Sequence, residues 1–303
     1  MIPLTNLLRH RDFVLSLALT LGLTLGQGAR WTESTVVPAL AVVMTLSTMG
    51  VPGSIFLAPH KLLLPALAGL ALNYGVLGGL LLGLSSLMIH DEALRHGFII
   101  MTAVPPAIAV IPFTAMLNGN SPFTLVAAIG CYLAALILTP LITLGFIGAG
   151  SLESGKILII MIELILLPLI LSRVLLWSKI SKRVEPIKGA ITNWGFFLVV
   201  YTIIGLNRDL FLAQPLAFLP VAFIALASTF FLGFVIERLC RFFHVAPKMA
   251  TSLVLLGTQK NTGLAAGLAL TLFSEKTAVP ATISTIFMLV YIIWLSVKQR
   301  WNN

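Results

Sequence analysis

Apolar runs of about 20 residues recur along this chain, separated by short polar or glycine- and proline-rich breaks, the pattern that a series of bilayer-crossing helices requires. Five runs fall in the first half: 13–28, 35–49, 62–88, one from about Gly97 to the turn Asn118-Gly119-Asn120-Ser121-Pro122, and 123–147. Five more follow at 157–177, 190–206, 215–236, 249–273 and 277–297. Two of the ten are interrupted. In the ninth, Thr258-Gln259-Lys260-Asn261-Thr262 lies between two apolar stretches and is bracketed by Gly257 and Gly263. Neither flank alone spans a bilayer, so the pattern predicts one membrane helix broken near its middle, a surface loop between two short helices being the alternative. In the fourth, Pro105-Pro106 removes helix donors and disfavours helical geometry at the preceding residue.

Composition fits this pattern. The chain is 58% hydrophobic and 10% charged over 303 residues, too apolar for a water-soluble domain. Its net charge of +9 invites a nucleic-acid reading, but the basic residues are spread over the loops between spans. With the amino terminus placed inside, Arg9, Arg11, Lys61, Arg173, Lys179, Lys182, Arg183, Lys188, Arg238, Arg241, Lys248, Lys298 and Arg300 are cytoplasmic. Arg30, Arg95, Lys156, Arg208 and Lys276 are then the outer set, thirteen against five. That bias places both termini in the cytoplasm of a multi-pass cell-membrane protein. Cys131 and Cys240 show no paired or metal-binding pattern. No His-Glu-x-x-His, acidic pair or nucleophile motif occurs in the spans, which sets aside an intramembrane enzyme.

A shift of 155 positions lays Leu64-Pro65 on Leu219-Pro220, Leu77-Gly78 on Leu232-Gly233, Asn73 on Ser228 and Pro105-Pro106 on Lys260-Asn261. Each half (1–150 and 151–303) then has five spans with its fourth broken, and an odd number of spans inverts one half relative to the other. Matched interrupted helices point to the binding site of a secondary transporter.

The motif Gly257-Thr258-Gln259-Lys260-Asn261-Thr262-Gly263-Leu264-Ala265, with Pro105-Pro106 through Asn118-Gly119-Asn120 and Leu138-Thr139-Pro140-Leu141, resembles the bile acid:sodium symporter superfamily. The resemblance implies ten helices, with broken helices 4 and 9 crossing. It further implies a core domain of spans 3–5 and 8–10, a panel domain of spans 1, 2, 6 and 7, and substrate in the cleft between them. The sodium-binding pattern is altered. Leu256 stands where the family has an acid, Lys260 where it has Gln, and Val110-Ile111 where it has a polar pair. Only Asn73 and Thr124 keep polar character there. Aliphatic side chains offer a hard cation no oxygen, which speaks against sodium coupling.

Lys260 is therefore the candidate replacement for the cation, a centre of positive potential for an organic anion, and a candidate proton carrier; a snorkelling lysine is the alternative. Glu163, the acid deep in span 6, is a candidate proton-binding or gating group or a partner for Lys260, the alternative being a structural hydrogen bond. Thr258, Gln259, Asn261 and Thr262 are candidate substrate or backbone ligands, and Pro105 and Pro106 act through shape. Asn73 and Ser228 are expected to tie core helices together, the alternative being contact with substrate, and Gly75, Gly78, Gly79 and Gly83 suit close helix packing. The expected function is secondary transport of a small organic anion, such as a carboxylate, with no cofactor. The alternatives are a transport-inactive receptor or structural protein and a conventional sodium symporter.

Overall fold

The computed structural model describes residues 11–49, 59–148, 159, 162–178, 180–213 and 215–302. The expected turn at 50–58, the linker at 149–158 with Lys156, and the start of the sixth span lie outside these. The main helices are α1 (Arg11–Thr24), α2 (Val36–Thr48), α3 (59–88), α4 (Glu92–Ala103), α5 (Val110–Met116) and α6 (Ser121–Ile147). They continue as α7 (162–177), α8 (Lys188–Leu206), α9 (Pro215–Phe242), α10 (Pro247–Thr258), α11 (Thr262–Leu272) and α12 (Val279–Asn302). No strand occurs among the described residues.

Five of these helices are individually long and apolar enough to cross a membrane. The other expected spans correspond to α1 and α2, to the broken pairs α4/α5 and α10/α11, and to α7. Helix α1 meets the helical stretch Gly26–Leu46, which takes in short turns and most of α2, at 93°.

The side chains of α6 are arranged as a lipid environment demands. Ala127, Ala128, Cys131 and Ala135 are buried, while Leu133, Ile137 and Leu141 are 40, 66 and 61% exposed. Small residues inside and bulky aliphatic ones outside suit helices that pack without a hydrophobic drive between them. Close approach occurs where α3 meets α6: a Cβ on Gly130 would lie 2.3 Å from the Cβ of Ala66, and one on Gly69 3.0 Å from Cys131 Sγ. The glycines singled out in sequence behave differently. Gly75, Gly79 and Gly83 face open space, and only Gly78 abuts a neighbour, Thr102.

The helices pack in two groups. Helix α8 lies against α1 and α2, and α7 against α2; the remaining helices pack among themselves, with α3 on α6, α9 on α10 and α12, and α11 on α4 and α12. The expected panel and core memberships are thereby reproduced. The groups meet where α2 and α8 touch α11. There Gly267 faces Leu40 and Gly263 faces Phe196, so glycines on α11 let the panel helices come close.

Two widened, π-type turns interrupt the long core helices, Ala71–Gly78 in α3 and Ala227–Phe231 in α9. Asn73 sits in the first and Ser228 in the second, both buried. Such turns shift side-chain direction within a helix and leave carbonyls locally less engaged.

Candidate functional site: the crossing of two broken helices

Helix α4 begins at an Asp91 cap, whose Oδ1 accepts from Leu94 N at 3.1 Å, and it ends because Val104 precedes proline and is extended. Helix α10 ends at Gln259, also extended, and α11 restarts with Asn261 as its cap, Oδ1 accepting from Leu264 N at 3.1 Å. The extended links pair antiparallel across Pro106 and Lys260. Ala107 N donates to Gln259 O at 3.2 Å and Asn261 N to Pro105 O at 2.9 Å. Each break thus supplies the backbone partners that the other lacks, which is how non-helical backbone survives at this depth.

Side chains complete the pairing. The Lys260 ammonium, 2% exposed, donates to Thr102 O and Val104 O, both at 2.8 Å. Thr139 Oγ1 donates to Ala103 O at 2.8 Å, so three consecutive carbonyls at the negative end of α4 are met. Behind the ammonium lies the Tyr74 ring, its centroid 4.3 Å from Nζ. At the end of α10 the donor is neutral: Asn73 Nδ2 reaches Leu256 O at 2.9 Å and Gln259 O at 3.3 Å. One half-helix end is satisfied by a cation, the other by an amide.

Two cavities lie between this crossing and the panel helices. One, of about 50 Å³, is lined by Gln259, Asn261, Thr262, Gly263 and Thr285 together with apolar residues of α1, α2 and α8. The other, of about 40 Å³, is lined by Thr48, Tyr132 and aliphatic residues of α2, α6 and α7. Met44 and Ile108 border both. The Gln259 Oε1 is buried and has no protein hydrogen-bond partner, and the first turn of α11 lies in the wall of the larger cavity.

The family profile described as SBF-like CPA transporter family (DUF4137) matches residues 14–297, nearly the whole chain. The chain belongs to this family. It is a family of membrane transporters within the bile acid:sodium symporter and CPA superfamily, in agreement with the resemblance read from the two motifs. Comparison with curated proteins finds no match.

Among the positions where the resemblance implies sodium ligands, Val110 and Leu256 offer no oxygen, while Asn73 Oδ1 is buried without a protein hydrogen-bond partner. Val110 and Leu256, fully buried, pack with Leu117, Ala127, Leu255 and Ile292 in an apolar cluster. Thr124 is buried but accepts from Thr114 Oγ1 at 3.2 Å, and Asn73 is turned to backbone carbonyls through its amide nitrogen.

The predicted site residues divide between two sides of the crossing. Gln259, Asn261 and Thr262 face the cleft, and Thr262 Oγ1 accepts from Thr285 Oγ1 at 2.8 Å. Thr258 turns back onto Val254 O at 2.7 Å. Lys260 points away from the cleft, into a space of about 10 Å³ shared with Ser228, Thr229, Thr258 and Ser284. Its positive charge therefore reaches a cleft ligand through the intervening backbone rather than by contact. Glu163 is exposed on the π-type turn at the start of α7 and borders neither cavity, whereas Leu166 and Leu169 of the same helix do. The structure does not bring Glu163 to Lys260.

Two tyrosines went unnoticed in the sequence. The Tyr132 hydroxyl accepts from Asn261 Nδ2 at 2.7 Å, tying the cap of α11 to α6. Tyr74 supplies the ring under Lys260. A mid-span tyrosine in a chain with only four is a polar group needing a partner, and that was the available signal.

Proposed function

We propose that this protein is a sodium-independent secondary carrier for a small organic anion, a carboxylate above all, with Lys260 standing in place of a bound cation. The observation that carries the reading is the Lys260 ammonium, buried on the Thr102 and Val104 carbonyls, while Val110 and Leu256 stand where polar sodium ligands are expected. A fixed ammonium neutralises the helix end at the crossing, as a diffusible cation does elsewhere, and leaves nothing to be coupled through that position. The substrate occupies the cleft cavity, its apolar part against α2 and α8 and its anionic group toward Gln259, Asn261, Thr262 and the amino-terminal turn of α11.

Transport proceeds by movement of the core group against the panel group, with both termini cytoplasmic in a plasma membrane. The antiparallel pairing of the two breaks, and the π-type turns at Asn73 and Ser228, support two inverted five-helix repeats. The test is uptake of labelled carboxylates into proteoliposomes, with sodium and pH gradients imposed separately. The expected result is uptake indifferent to sodium and lowered at least about tenfold by Lys260→Met. Sodium-driven uptake by the unmodified protein overturns the reading.

A further inference from the structure

The link between α11 and α12, residues 273–278, is fixed to the core group. Lys276 Nζ pairs with Asp91 Oδ2, at the start of α4, at 2.5 Å. The Phe273 and His96 rings lie 5.3 Å apart, and a Cβ on Gly97 would fall 2.3 Å from Thr277 O. The other side of the link meets the panel group. Asn207, which ends α8, is fully buried, and its Nδ2 donates to Ile203 O at 2.9 Å and to Glu275 O at 3.1 Å. Its Oδ1 has no partner in the protein, so the two carbonyls decide how the amide is turned. Arg30 and Glu33, in the segment after α1, act on the Glu275 carboxyl with opposite sign.

This contact lies at one end of the cleft. Val199 and Val200, which line the larger cavity, are about two turns back along α8. Between them and Asn207 the two groups are packed shut: Ile203 is 2% exposed, and Leu40 of α2 seats on Gly267 of α11. The apolar contact tolerates small displacements, whereas an amide shared by two carbonyls is directional and is lost on separation. We propose that Asn207 is a latch on this face, the outer one in the orientation given above. It holds Glu275 O while the face is shut and releases it when the core group moves against the panel group. That movement rests on the carrier reading, but neither the substrate nor the coupling ion enters. A neutral hydrogen bond shifts an equilibrium by about tenfold at most, so it biases the closed face without locking it. Asn207 is thus a positioning residue that acts on access to the cleft and not on the ligand.

The test reads exposure and needs no substrate. A single reporter, Ile203→Cys in a Cys131→Ala, Cys240→Ala background, is labelled with a charged, membrane-impermeant thiol reagent. Labelling is done once in intact cells and once in inside-out vesicles, and the exposed position Asp209, changed to Cys in a parallel sample, marks which preparation presents this face. Asn207→Ser keeps a hydroxyl that bonds Ile203 O one turn back but is too short for Glu275 O, whereas Asn207→Ala loses both bonds. The expected result is slow labelling with Asn207 in place, and a rate about three- to tenfold higher in both variants from the Asp209 face alone. Equal acceleration from both faces means a general loosening of the fold and overturns the proposal. Acceleration in Asn207→Ala alone assigns the effect to the helix end and overturns it too, as does no acceleration in either variant. Should Asn207→Ala fail to fold, Asn207→Ser decides by the same criteria. Sodium-driven uptake would overturn the carrier reading of the preceding subsection and leave these labelling outcomes untouched.

Discussion

Asn261 and Tyr132 form a single hydrogen bond, 2.7 Å from Nδ2 to the hydroxyl, that fastens the second broken helix to α6. Tyr132→Phe keeps the ring and removes the oxygen that accepts from the Asn261 amide. It is expected to lower stability by about 1–3 kcal/mol, read as a lower melting temperature in detergent. An unchanged melting temperature would show that the crossing does not depend on this link.

Lys260→Gln and Lys260→Met separate hydrogen bonding from charge. The amide still offers donors toward Thr102 and Val104, whereas the thioether leaves two buried carbonyls bare. The Met variant is expected to be the less stable by about 1–3 kcal/mol. Equal stability of the two would mean that the carbonyls find other partners.

At the outer edge of the core, Lys276 Nζ lies 2.5 Å from Asp91 Oδ2. Partial burial alone would raise the Asp91 carboxyl, but the hydrogen bond and charge of Lys276, with the Leu94 N–H, hold it below the ordinary range. An acid depressed in the folded state adds stability above its unfolded pKa, near 3.9, and that stability is lost as pH falls through the folded value. Both side chains are more than a third exposed, so the contribution is below about 1 kcal/mol. The melting-temperature gap between the unmodified protein and Asp91→Asn is expected to close between about pH 4 and pH 2. A gap that persists at the acid end would assign the effect to the cap alone.

Gly267 tests the meeting of the two packing groups. A Cβ there would fall 2.3 Å from Leu40 Cδ1, the far end of a flexible side chain. Gly267→Ala is expected to be tolerated, while Gly267→Leu overpacks the interface at about 1–3 kcal/mol and slows transport. Leu40→Ala in the same molecule should restore both. Failure of that rescue would place the clash elsewhere.

Much of this architecture was legible because the physics behind it is local. Pro105-Pro106 forbids a continuous helix, and a lysine amid apolar residues announces a buried polar crossing, so both breaks could be read from composition alone. The orientation of Lys260 could not. Whether its ammonium faces the cleft or the α4 carbonyls depends on which way the extended link at Gln259 turns, and that is fixed by pairing with residues some 155 positions away. Glu163 misled for a related reason. An acid in an apolar run is conspicuous, yet helical phase decides whether it faces the cleft, and the π-type turn at 162–166 alters that phase. The glycines of α3 failed likewise, since a glycine permits close packing without showing that a neighbour takes advantage of it.

The unequal treatment of the two half-helix ends, ammonium at one and amide at the other, has an electrical consequence. In the cycle proposed above, a core group that carries the Lys260 ammonium through the membrane field has that charge offset when loaded with a monovalent anion and uncompensated when empty. Each elementary charge crossing a 100 mV potential gains or loses about 2.3 kcal/mol. The empty return stroke is then the voltage-sensitive half of the cycle, so an inside-negative potential draws the unloaded carrier toward the cytoplasmic side.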